Sequence, residues 1–328
     1  VEVSQTWLKI LARSRKVDFV PTPPCSLQIG SQVIMKRAAD GTPVTGSMAT
    51  VMMNGLPGAM GVEVSQACLR RGMGLAEKAM TGPGMPSECE VTEGDKTVKV
   101  GLLSDPVAQK AAVQEMQAKY GKGLIIVDFT HPTAVNPNGE IYAACQCPFV
   151  MGTTGGDRDQ LIKATEDSKT YAVIAPNMCK QIVAFQATIE KMAADFPNAF
   201  GGYGLKVVES HQSTKADTSG TAKAVVASMA GLGADKFDVE DIEKIREPEA
   251  QMAFGIPEAH LTGHAWHTYT LTSGDGSVQF EFKHNVCGRR TYAEGVADAV
   301  HFLAEKIASG SEKRIFNMID VLGEGKMQ

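Results

Sequence analysis

The chain lacks any apolar run approaching the ~20 residues that a membrane-spanning helix requires. It also lacks an excess of positive charge, because 37 acidic residues outnumber 32 basic ones and leave a net charge of -5. No basic stripe with interleaved aromatic residues is present to attract the phosphates of a nucleic acid. The sequence therefore predicts neither a membrane nor a nucleic-acid partner, and it favours small molecules as ligands.

Cysteines are few and form no framework of disulfide or zinc-binding spacings. The count is seven, a Cys-x-x-Cys pair is absent, and Cys145 and Cys147 are too close for the usual tetrahedral chelate. The odd number indicates free thiols in a reducing compartment. His260, His264 and His267 are closely spaced, but no carboxylate or cysteine completes a plausible set. We interpret them as hairpin and loop histidines and predict no metal centre.

Acidic residues are scarce in residues 1–47, where basic and hydroxyl side chains are frequent and Pro21, Pro23 and Pro24 exclude a continuous helix. This composition is typical of an organelle transit peptide. We expect residues 1–47 to be an extension, either a transit-peptide remnant or a segment without a targeting function. In a plant or alga the composition predicts the chloroplast stroma, and otherwise the cytoplasm.

A strand, a glycine turn and a helix open the remainder of the chain. Apolar residues 49–53 precede the pattern Gly55-x-x-Gly58-x-x-Gly61, and apolar residues then recur at helical spacing. Glycines permit a tight turn and a close approach of pyrophosphate, which the free N–H groups of a helix N-terminus bind. Pro57 stands where the usual fingerprint has glycine, so a purely structural turn is the alternative. The flanking strand and helix favour a dinucleotide-binding loop.

The end of the second strand bears on the choice of dinucleotide. That strand should end about 20 residues after the loop, where an acidic residue would hold the ribose hydroxyls of NAD. Residues 79–82 contain no acid, and Arg71 and Lys78 are near in sequence. We therefore predict NADPH as the cofactor, with NADH as the alternative, and Thr81 as one of the contacts.

Three further buried-strand candidates each end in a polar segment that contains glycine or proline. They are residues 124–129, 148–151 and 171–175. Stretches of helical length separate them, which indicates parallel pairing. Ligands of open parallel sheets lie beyond the carboxyl ends of the strands, so these segments should share one cleft with the glycine loop.

The second half of the chain has the pattern of strands flanked by helices, before a final helical stretch over residues 292–307. We therefore predict an α/β fold, a doubly wound Rossmann-type parallel sheet plus an α+β domain for substrate binding and oligomerisation. The predicted dinucleotide domain comprises residues 48–178 plus 292–328. The predicted substrate domain comprises residues 179–291.

The densest set of reactive side chains lies in residues 209–221, between a predicted strand and a predicted helix. His211 can donate a proton near neutral pH, and Lys215 can neutralise a carboxylate or a developing negative charge. Residues 219–221 open the helix, so their hydroxyl and N–H groups can bind an anion. A buried histidine, a solvated lysine and an ordinary N-cap are the structural alternatives for each feature alone. The set together favours a catalytic site.

These motifs together resemble the family of dihydrodipicolinate reductase, also called 4-hydroxy-tetrahydrodipicolinate reductase, and most of all its plant and algal branch. The resemblance covers residues 50–322 and rests on residues 54–61, 127–130, 151–157, 175–178, 211–221, 285–288, 292–295 and 317–322. It implies hydride transfer from NADPH or NADH to C4 of a cyclic dicarboxylate, giving tetrahydrodipicolinate in lysine biosynthesis by the diaminopimelate pathway. It also implies a homo-oligomer, a dimer or a tetramer.

The resemblance assigns residue roles as well. It implies that His211 is the proton donor and Lys215 the catalytic lysine. The implied substrate contacts are Gln212, Ser219, Gly220, Thr221 and Thr154. The implied cofactor contacts are Gly55, Gly58, Ala59, Met60, Gly61, Phe129, Gly152, Thr153, Thr154, Ala175, Pro176, Asn177 and Met178.

Two departures from the bacterial pattern are visible. Bacterial members have a second histidine directly after the donor, where this sequence has Gln212, which can form hydrogen bonds but carries no charge. Any acid role is therefore expected of His211 alone. The segment between Lys215 and Ser219 is also one residue shorter than in bacteria, which puts the bacterial loop geometry and assembly in doubt.

Two other hypotheses remain. Another two-domain NAD(P) dehydrogenase, such as a semialdehyde dehydrogenase, would need a nucleophilic cysteine, for which Cys179 is the candidate. A non-catalytic NADPH-binding regulator would bind the dinucleotide without turnover. The pairing of His211 with Lys215 argues against that regulator.

Overall fold

The computed structural model describes residues 49–325, so the expected extension over residues 1–47 lies outside the described residues. The described residues form thirteen strands and nine α-helices. The strands are β1 (Thr50–Asn54), β2 (Gly74–Leu75), β3 (Lys78–Met80), β4 (Glu88–Glu93), β5 (Lys96–Leu103), β6 (Leu124–Asp128), β7 (Phe149–Met151), β8 (Ala172–Ile174), β9 (Tyr203–His211), β10 (Glu243–Ile245), β11 (His264–Ser273), β12 (Gln279–Cys287) and β13 (Ile315–Phe316). The helices are α1 (Ala59–Arg70), α2 (Pro106–Tyr120), α3 (Val135–Ala144), α4 (Arg158–Asp167), α5 (Lys180–Asp195), α6 (Gly220–Gly231), α7 (Pro248–Phe254), α8 (Arg290–Ala308) and α9 (Met318–Gly323).

A parallel sheet carries the glycine loop, with the strand order β13-β8-β7-β6-β1-β2. Alternate residues of β6 pack into two hydrophobic clusters, Ile125 and Val127 with α1 and α8, and Leu124 and Ile126 with α2 and α3. Helices therefore cover both faces, which explains why β6 is a continuous apolar run. The chain leaves β1 toward β2 on one side and returns through β6 on the other, so a ligand cleft opens beyond β1 and β6. This arrangement confirms the predicted doubly wound fold.

A small sheet with the order β3-β5-β4 stands beside the cofactor end of the parallel sheet. The strand predicted near residues 79–82 is β3, but it pairs with β5, whereas the short β2 adjoins β1. The sequence did not indicate the antiparallel β4–β5 hairpin. In its two strands only Val91, Val100 and Leu102 are buried, so the apolar alternation of a strand is weak.

The predicted α+β unit is built on a second sheet with the order β10-β9-β11-β12. Helices α5 and α6 cover one face through a cluster that includes Ile189, Val226 and Tyr269. In the register between β9 and β11, His267 lies opposite Glu209 and Ala265 lies opposite His211. This register brings together residues that the sequence does not connect.

The end of the described chain returns to the parallel sheet. Helix α8 packs in the same cluster as α1, and β13 pairs with β8. A Cβ on Gly295 of α8 would lie 1.7 Å from the carbonyl oxygen of Met178, so the helix crosses the chain there at backbone contact. Among residues 49–325, none of the helices combines the length and the hydrophobicity of a membrane-spanning segment.

Candidate active site

The glycine loop closes against the end of the neighbouring strand. Gly55 has a φ of 103°, and a Cβ there would lie 2.1 Å from the carbonyl oxygen of Phe129. Gly58 donates its N–H to the Gly55 carbonyl at 2.9 Å and stands at the N-cap of α1. The first backbone hydrogen bond of α1 runs from the N–H of Val62 to the carbonyl of Gly58. The N–H groups of residues 59–61 therefore have no partner within the helix. The loop therefore has the form of a cradle for pyrophosphate.

A cavity of about 690 Å³ lies beside this loop. Gly55, Gly58, Thr81 and Phe129 line it, together with the segment after β3 and the start of α2. No acidic side chain is among its described lining residues. Its position beyond β1 and β6 is where a doubly wound sheet binds the nucleoside part of a dinucleotide.

The two cations that favour NADPH in the sequence do not reach this cavity. Arg71 donates to the carbonyl of Glu294 at 3.1 Å and forms an ion pair with Asp298, so it lies between α1 and α8. Lys78 forms an ion pair with Glu115 at 2.6 Å. Neither cation therefore lines the cavity, and the absence of an acid is the observation that still supports NADPH.

Two predicted cofactor contacts use their hydroxyl groups inside the protein. Thr81 donates from Oγ1 to the carbonyl of Leu56 at 2.7 Å. Thr153 donates from Oγ1 to the carboxylate of Asp128 at 2.7 Å. A dinucleotide would therefore meet the backbone of these threonines rather than their hydroxyl hydrogens.

Asp128, at the end of β6, ties together the loops around the cleft. Its fully buried carboxylate accepts hydrogen bonds from Thr130, Asn138, Tyr142 and Thr153. Tyr142 also accepts one from Asn54 at the end of β1, at 2.8 Å, and burial raises the pKa of its phenol well above the ordinary value. A fully satisfied buried network of this kind holds the strand ends in one arrangement.

A second cavity, of about 230 Å³, adjoins the ends of β7 and β8. Predicted contacts that line it are Thr153, Thr154, Ala175 and Pro176. A Cβ on Gly152 would lie 2.1 Å from the ring of Phe129, so that ring packs directly on the glycine. Asn177 donates from Nδ2 to Oγ1 of Thr221 at 3.2 Å, whereas Met178 lies in the hydrophobic core. The bond from Asn177 joins the predicted cofactor loops to the predicted substrate loop.

His211 is the last residue of β9, and Lys215 lies on the turn that follows it. His211 is 8% exposed, and Gln251 donates to its carbonyl at 2.7 Å. Lys215 donates its N–H to the carbonyl of Gln212 at 2.9 Å, which closes the turn. Its ammonium donates to Asp217 at 2.7 Å, and because Asp217 is 75% exposed, a bound carboxylate can replace this partner at little cost.

Glu209 is a buried carboxylate that the sequence did not single out. Arg246 donates to its Oε1, and the backbone N–H of Ser219 donates to its Oε2 at 3.0 Å. The predicted anion pocket at the α6 N-terminus is therefore partly filled by an internal carboxylate. The N–H groups of Gly220 and Thr221, in the first turn, remain for a substrate.

Arg246 also shapes the loop that carries the lysine. It donates from Nε to the carbonyl of Lys215 at 2.7 Å, and its Nη2 donates to Oε1 of Glu209. Nothing local in the sequence indicates this role. It arises because β10, which ends one residue before Arg246, pairs with β9.

His267 lies deep in the same group of side chains. Its Nε2 is 3.2 Å from Nε2 of His211 and 3.8 Å from Oε2 of Glu209. His264 and His267 lie on β11 of the predicted hairpin, and His260 lies in the segment that precedes it, which agrees with their interpretation as hairpin and loop histidines. The expectation that no carboxylate adjoins them is wrong at His267, which lies beside Glu209. Both oxygens of Glu209 already bind donors of the protein, so we assign it no metal-binding role.

Burial sets the protonation of these imidazoles. Burial, followed by the positive charges of Arg246 and Lys215, lowers the pKa of His211 from 6.5 to about 3. Burial and the surrounding histidines and cations hold the pKa of His267 well below its ordinary value. Both rings are therefore neutral at neutral pH in the ligand-free chain.

Comparison with known proteins connects this geometry to a family. The family profile described as "Dihydrodipicolinate reductase, N-terminus" matches residues 49–178, and its C-terminal counterpart matches residues 181–322. The chain is 46% identical over 310 residues to 4-hydroxy-tetrahydrodipicolinate reductase 2, chloroplastic, of Arabidopsis thaliana, covering 93% of this chain and 86% of that protein. The chain belongs to the dihydrodipicolinate reductase family. The resemblance stated from the motifs is thereby confirmed.

Two further comparisons place this dihydrodipicolinate reductase family member. It is 47% identical over 285 residues to 4-hydroxy-tetrahydrodipicolinate reductase 1, chloroplastic, of Arabidopsis thaliana, covering 86% of this chain and 80% of that protein. Its fold matches a dipicolinate-bound dihydrodipicolinate reductase from Paenisporosarcina with a TM-score of 0.56 at 18% identity, over 82% of this chain and 97% of that one. The second comparison shows a shared fold.

The semialdehyde dehydrogenase hypothesis gains no support in this family member. Cys179 is 2% exposed. Its Sγ lies 3.3 Å from Oγ1 of Thr291 and 3.5 Å from Oε1 of Gln181. A buried thiol with two polar partners is not presented as a nucleophile.

Proposed function

We propose that the protein reduces 4-hydroxy-tetrahydrodipicolinate to tetrahydrodipicolinate with NAD(P)H, as a step of lysine biosynthesis. The observation that carries this proposal is the joining of two loops by the Asn177–Thr221 hydrogen bond. One loop belongs to the dinucleotide side of the cleft, and the other opens the helix that follows His211 and Lys215. The family membership and the names of the plant relatives agree with this substrate and reaction.

Each residue of the second loop fits one requirement of the reaction. Thr154 and Pro176 line the cavity that would hold the nicotinamide, which would supply a hydride to C4. Lys215 and the N–H groups of Gly220 and Thr221 bind the substrate carboxylates by charge and hydrogen bonds. Thr154 and Gln212 are further polar contacts to the ring and its carboxylates. His211 holds the proton that the carbanion-like centre needs after hydride addition.

For the cofactor we propose a preference for NADPH, with NADH also accepted. The support is the lack of an acidic side chain among the described residues that line the 690 Å³ cavity, since a carboxylate there would repel a ribose phosphate. Because no lysine or arginine lines the described part of this cavity either, the preference should be modest.

The location, assembly and domain boundaries are proposals as well. The chloroplastic relatives support a plastid location. The edge strand β12, which exposes Phe280 and directly follows the exposed Val278, supports association into a dimer or tetramer. The membership of β13 in the first sheet supports domains of residues 48–178 plus 292–328 and 179–291.

The deciding experiment is an assay with freshly generated substrate, in which the oxidation of NADPH and of NADH is compared. We expect substrate-dependent oxidation of both. The kcat/KM for NADPH should exceed that for NADH by no more than about tenfold, which corresponds to about 1.4 kcal/mol. Binding of NADPH without substrate-dependent oxidation would support the non-catalytic regulator instead. A higher kcat/KM for NADH would refute the cofactor preference alone.

A further inference from the structure

Four ionisable side chains share one face of the second sheet. Glu209 and His211 lie on β9, His267 on β11 opposite Glu209, and His284 on β12 opposite His267. The aromatic ring of Phe185 from α5 packs on His284 at 5.7 Å between centroids. Helices α5 and α6 cover this face, so Glu209 and His267 are buried away from bulk water.

The contact between His211 and His267 is direct. Their Nε2 atoms are 3.2 Å apart, and the rings meet edge to face at 5.0 Å between centroids. Two imidazole nitrogens at this distance share one hydrogen, so one ring donates and the other accepts. With Nε2 of His211 engaged in this way, Nδ1 is the nitrogen left to face a substrate. Nδ1 of His267 is buried without a partner.

The charges around the pair are balanced in the ligand-free chain. Arg246 neutralises Glu209, and Asp217 neutralises Lys215. The remaining groups that face the pair, His284 and Tyr269, are uncharged at neutral pH, since burial lowers the pKa of His284 to about 4 and raises that of Tyr269. A proton added to the pair is therefore uncompensated until an anion arrives. A dicarboxylate that takes Lys215 from Asp217 supplies that negative charge within the cleft.

We propose that binding of the dicarboxylate loads one proton from solvent onto the His211–His267 pair, and that His267 is the positioning residue that holds this proton at His211. The proposal rests on the donor role of His211 in the proposed function. On hydride addition the N–H bond at Nδ1 of His211 breaks, and a C–H bond forms at the carbanion-like centre of the substrate. The pair returns to neutrality, and one proton is consumed per turnover.

The first test measures proton uptake directly. Dipicolinate, a dicarboxylate that cannot be reduced in the same way, is titrated calorimetrically into the NAD(P)H-saturated protein, in two buffers of different ionisation enthalpy at mildly alkaline pH. We expect uptake of about one proton in the wild type, because the pair is neutral before binding. His267→Asn should lose most of this uptake. The matched control His264→Gln should keep it, because His264 bonds Ser210 on the opposite face of the sheet.

The second test separates positioning from folding. His267→Asn should lower kcat about tenfold at neutral pH, a part of the usual contribution of a general acid, with the KM for cofactor unchanged. The alkaline limb of the kcat profile should move to lower pH, because an amide oxygen is a weaker acceptor than an imidazole nitrogen and His211 then holds its proton less firmly. A merely structural role would lower the melting temperature without moving this limb. Such a result, in both His267→Asn and the similarly polar His267→Gln, would overturn the proposal.

Other outcomes separate this proposal from the proposed function. No uptake in the wild type, equal uptake in His267→Asn, or the same loss in His264→Gln would each overturn the proton loading. If His211→Gln loses turnover while the His267 variants behave as wild type, the donor role stands and only the loading fails. Full turnover in His211→Gln would refute the donor role, and with it this inference.

Discussion

His211 reaches the cleft as a neutral imidazole, because burial and the charges of Arg246 and Lys215 lower its pKa to about 3. In the ligand-free chain, Lys215 forms an ion pair with an exposed aspartate, Asp217. Both side chains are therefore poised for an anionic ligand, which replaces Asp217 at the ammonium and favours the protonated imidazole. At the residue scale, the partners that His211 and Lys215 have before substrate binds set their charge and their availability to the substrate.

Replacement of the proposed donor is the direct test at the residue scale. His211→Gln should lower kcat by about 100-fold or more, the lower end of the usual general-acid contribution, because glutamine forms hydrogen bonds but transfers no proton. Binding of NADPH, followed by the fluorescence of the dinucleotide, should be unchanged, since the glycine loop and the 690 Å³ cavity belong to the other sheet.

His264→Gln is the matched control for this experiment. It removes an imidazole that is also buried on the same sheet but that bonds Ser210 on the opposite face. Its kcat should stay near that of the wild type. A kcat of His211→Gln within about threefold of wild type is less than any usual general-acid effect and would refute the donor assignment.

At the scale of secondary-structure elements, helix α8 connects the second sheet with the parallel sheet. It begins where the second domain ends and then packs with α1 on the parallel sheet. At Gly295 it touches the backbone of Met178, the last residue of the third cofactor segment. Asp298, one turn further, receives both Arg71 of α1's end and Lys180 at the start of α5. The two crossings of the chain between sheets are thus held at one place.

Gly295→Ala tests this crossing. An added Cβ would lie 1.7 Å from the Met178 carbonyl oxygen, and neither backbone can move without its neighbours. We expect a loss of about 1–3 kcal/mol or more in the free energy of unfolding, as for other overpacked sites, measured by urea denaturation. Gly323→Ala is the control, because an added Cβ there meets nothing within 4 Å and should change stability little. Equal stability of the two variants would contradict the close crossing.

Acid stability is a property of the whole molecule. Burial, with nearby charges at His211 and His267, holds the pKa values of His211, His264, His267 and His284 below the ordinary 6.5. Between the folded and unfolded pKa values, the unfolded chain binds protons that the folded chain does not. The free energy of unfolding is therefore highest above pH 6.5 and falls as the pH drops toward about 3 for His211 and about 4 for His284.

The expected slope is up to about 1.4 kcal/mol per pH unit for each such histidine. Urea denaturation at a series of pH values from neutral to about pH 5 measures it. His284→Phe, which replaces one titrating ring by a neutral ring of similar size, should lower the slope. His131→Phe replaces an exposed imidazole and should keep the wild-type slope. A His284→Phe slope equal to that of wild type would contradict the burial argument.

Local sequence patterns were sufficient for β1, β6, β7 and β8 of the first sheet and for the loops that follow them, but they did not indicate the short β2 and β13. The glycine loop, the buried run of β6 and the start of α6 at Gly220 each depend on residues that are near in the chain. A glycine at positive φ, a continuous apolar run and a helix cap can each be recognised from a few neighbouring residues of the sequence. The β4–β5 hairpin has only a weak alternation of apolar and polar residues, so the sequence did not predict it.

The partners within the site were decided by the tertiary structure. His211 and His267 are 56 residues apart, and they meet only because β9 pairs with β11 in a particular register. Arg246 reaches Glu209 because β10 lies on the other side of β9. A shift of one residue in either pairing would turn these side chains to the opposite face. Sequence alone therefore determined the fold, the family and the segments that form the cleft, whereas strand register decided which charges and imidazoles touch.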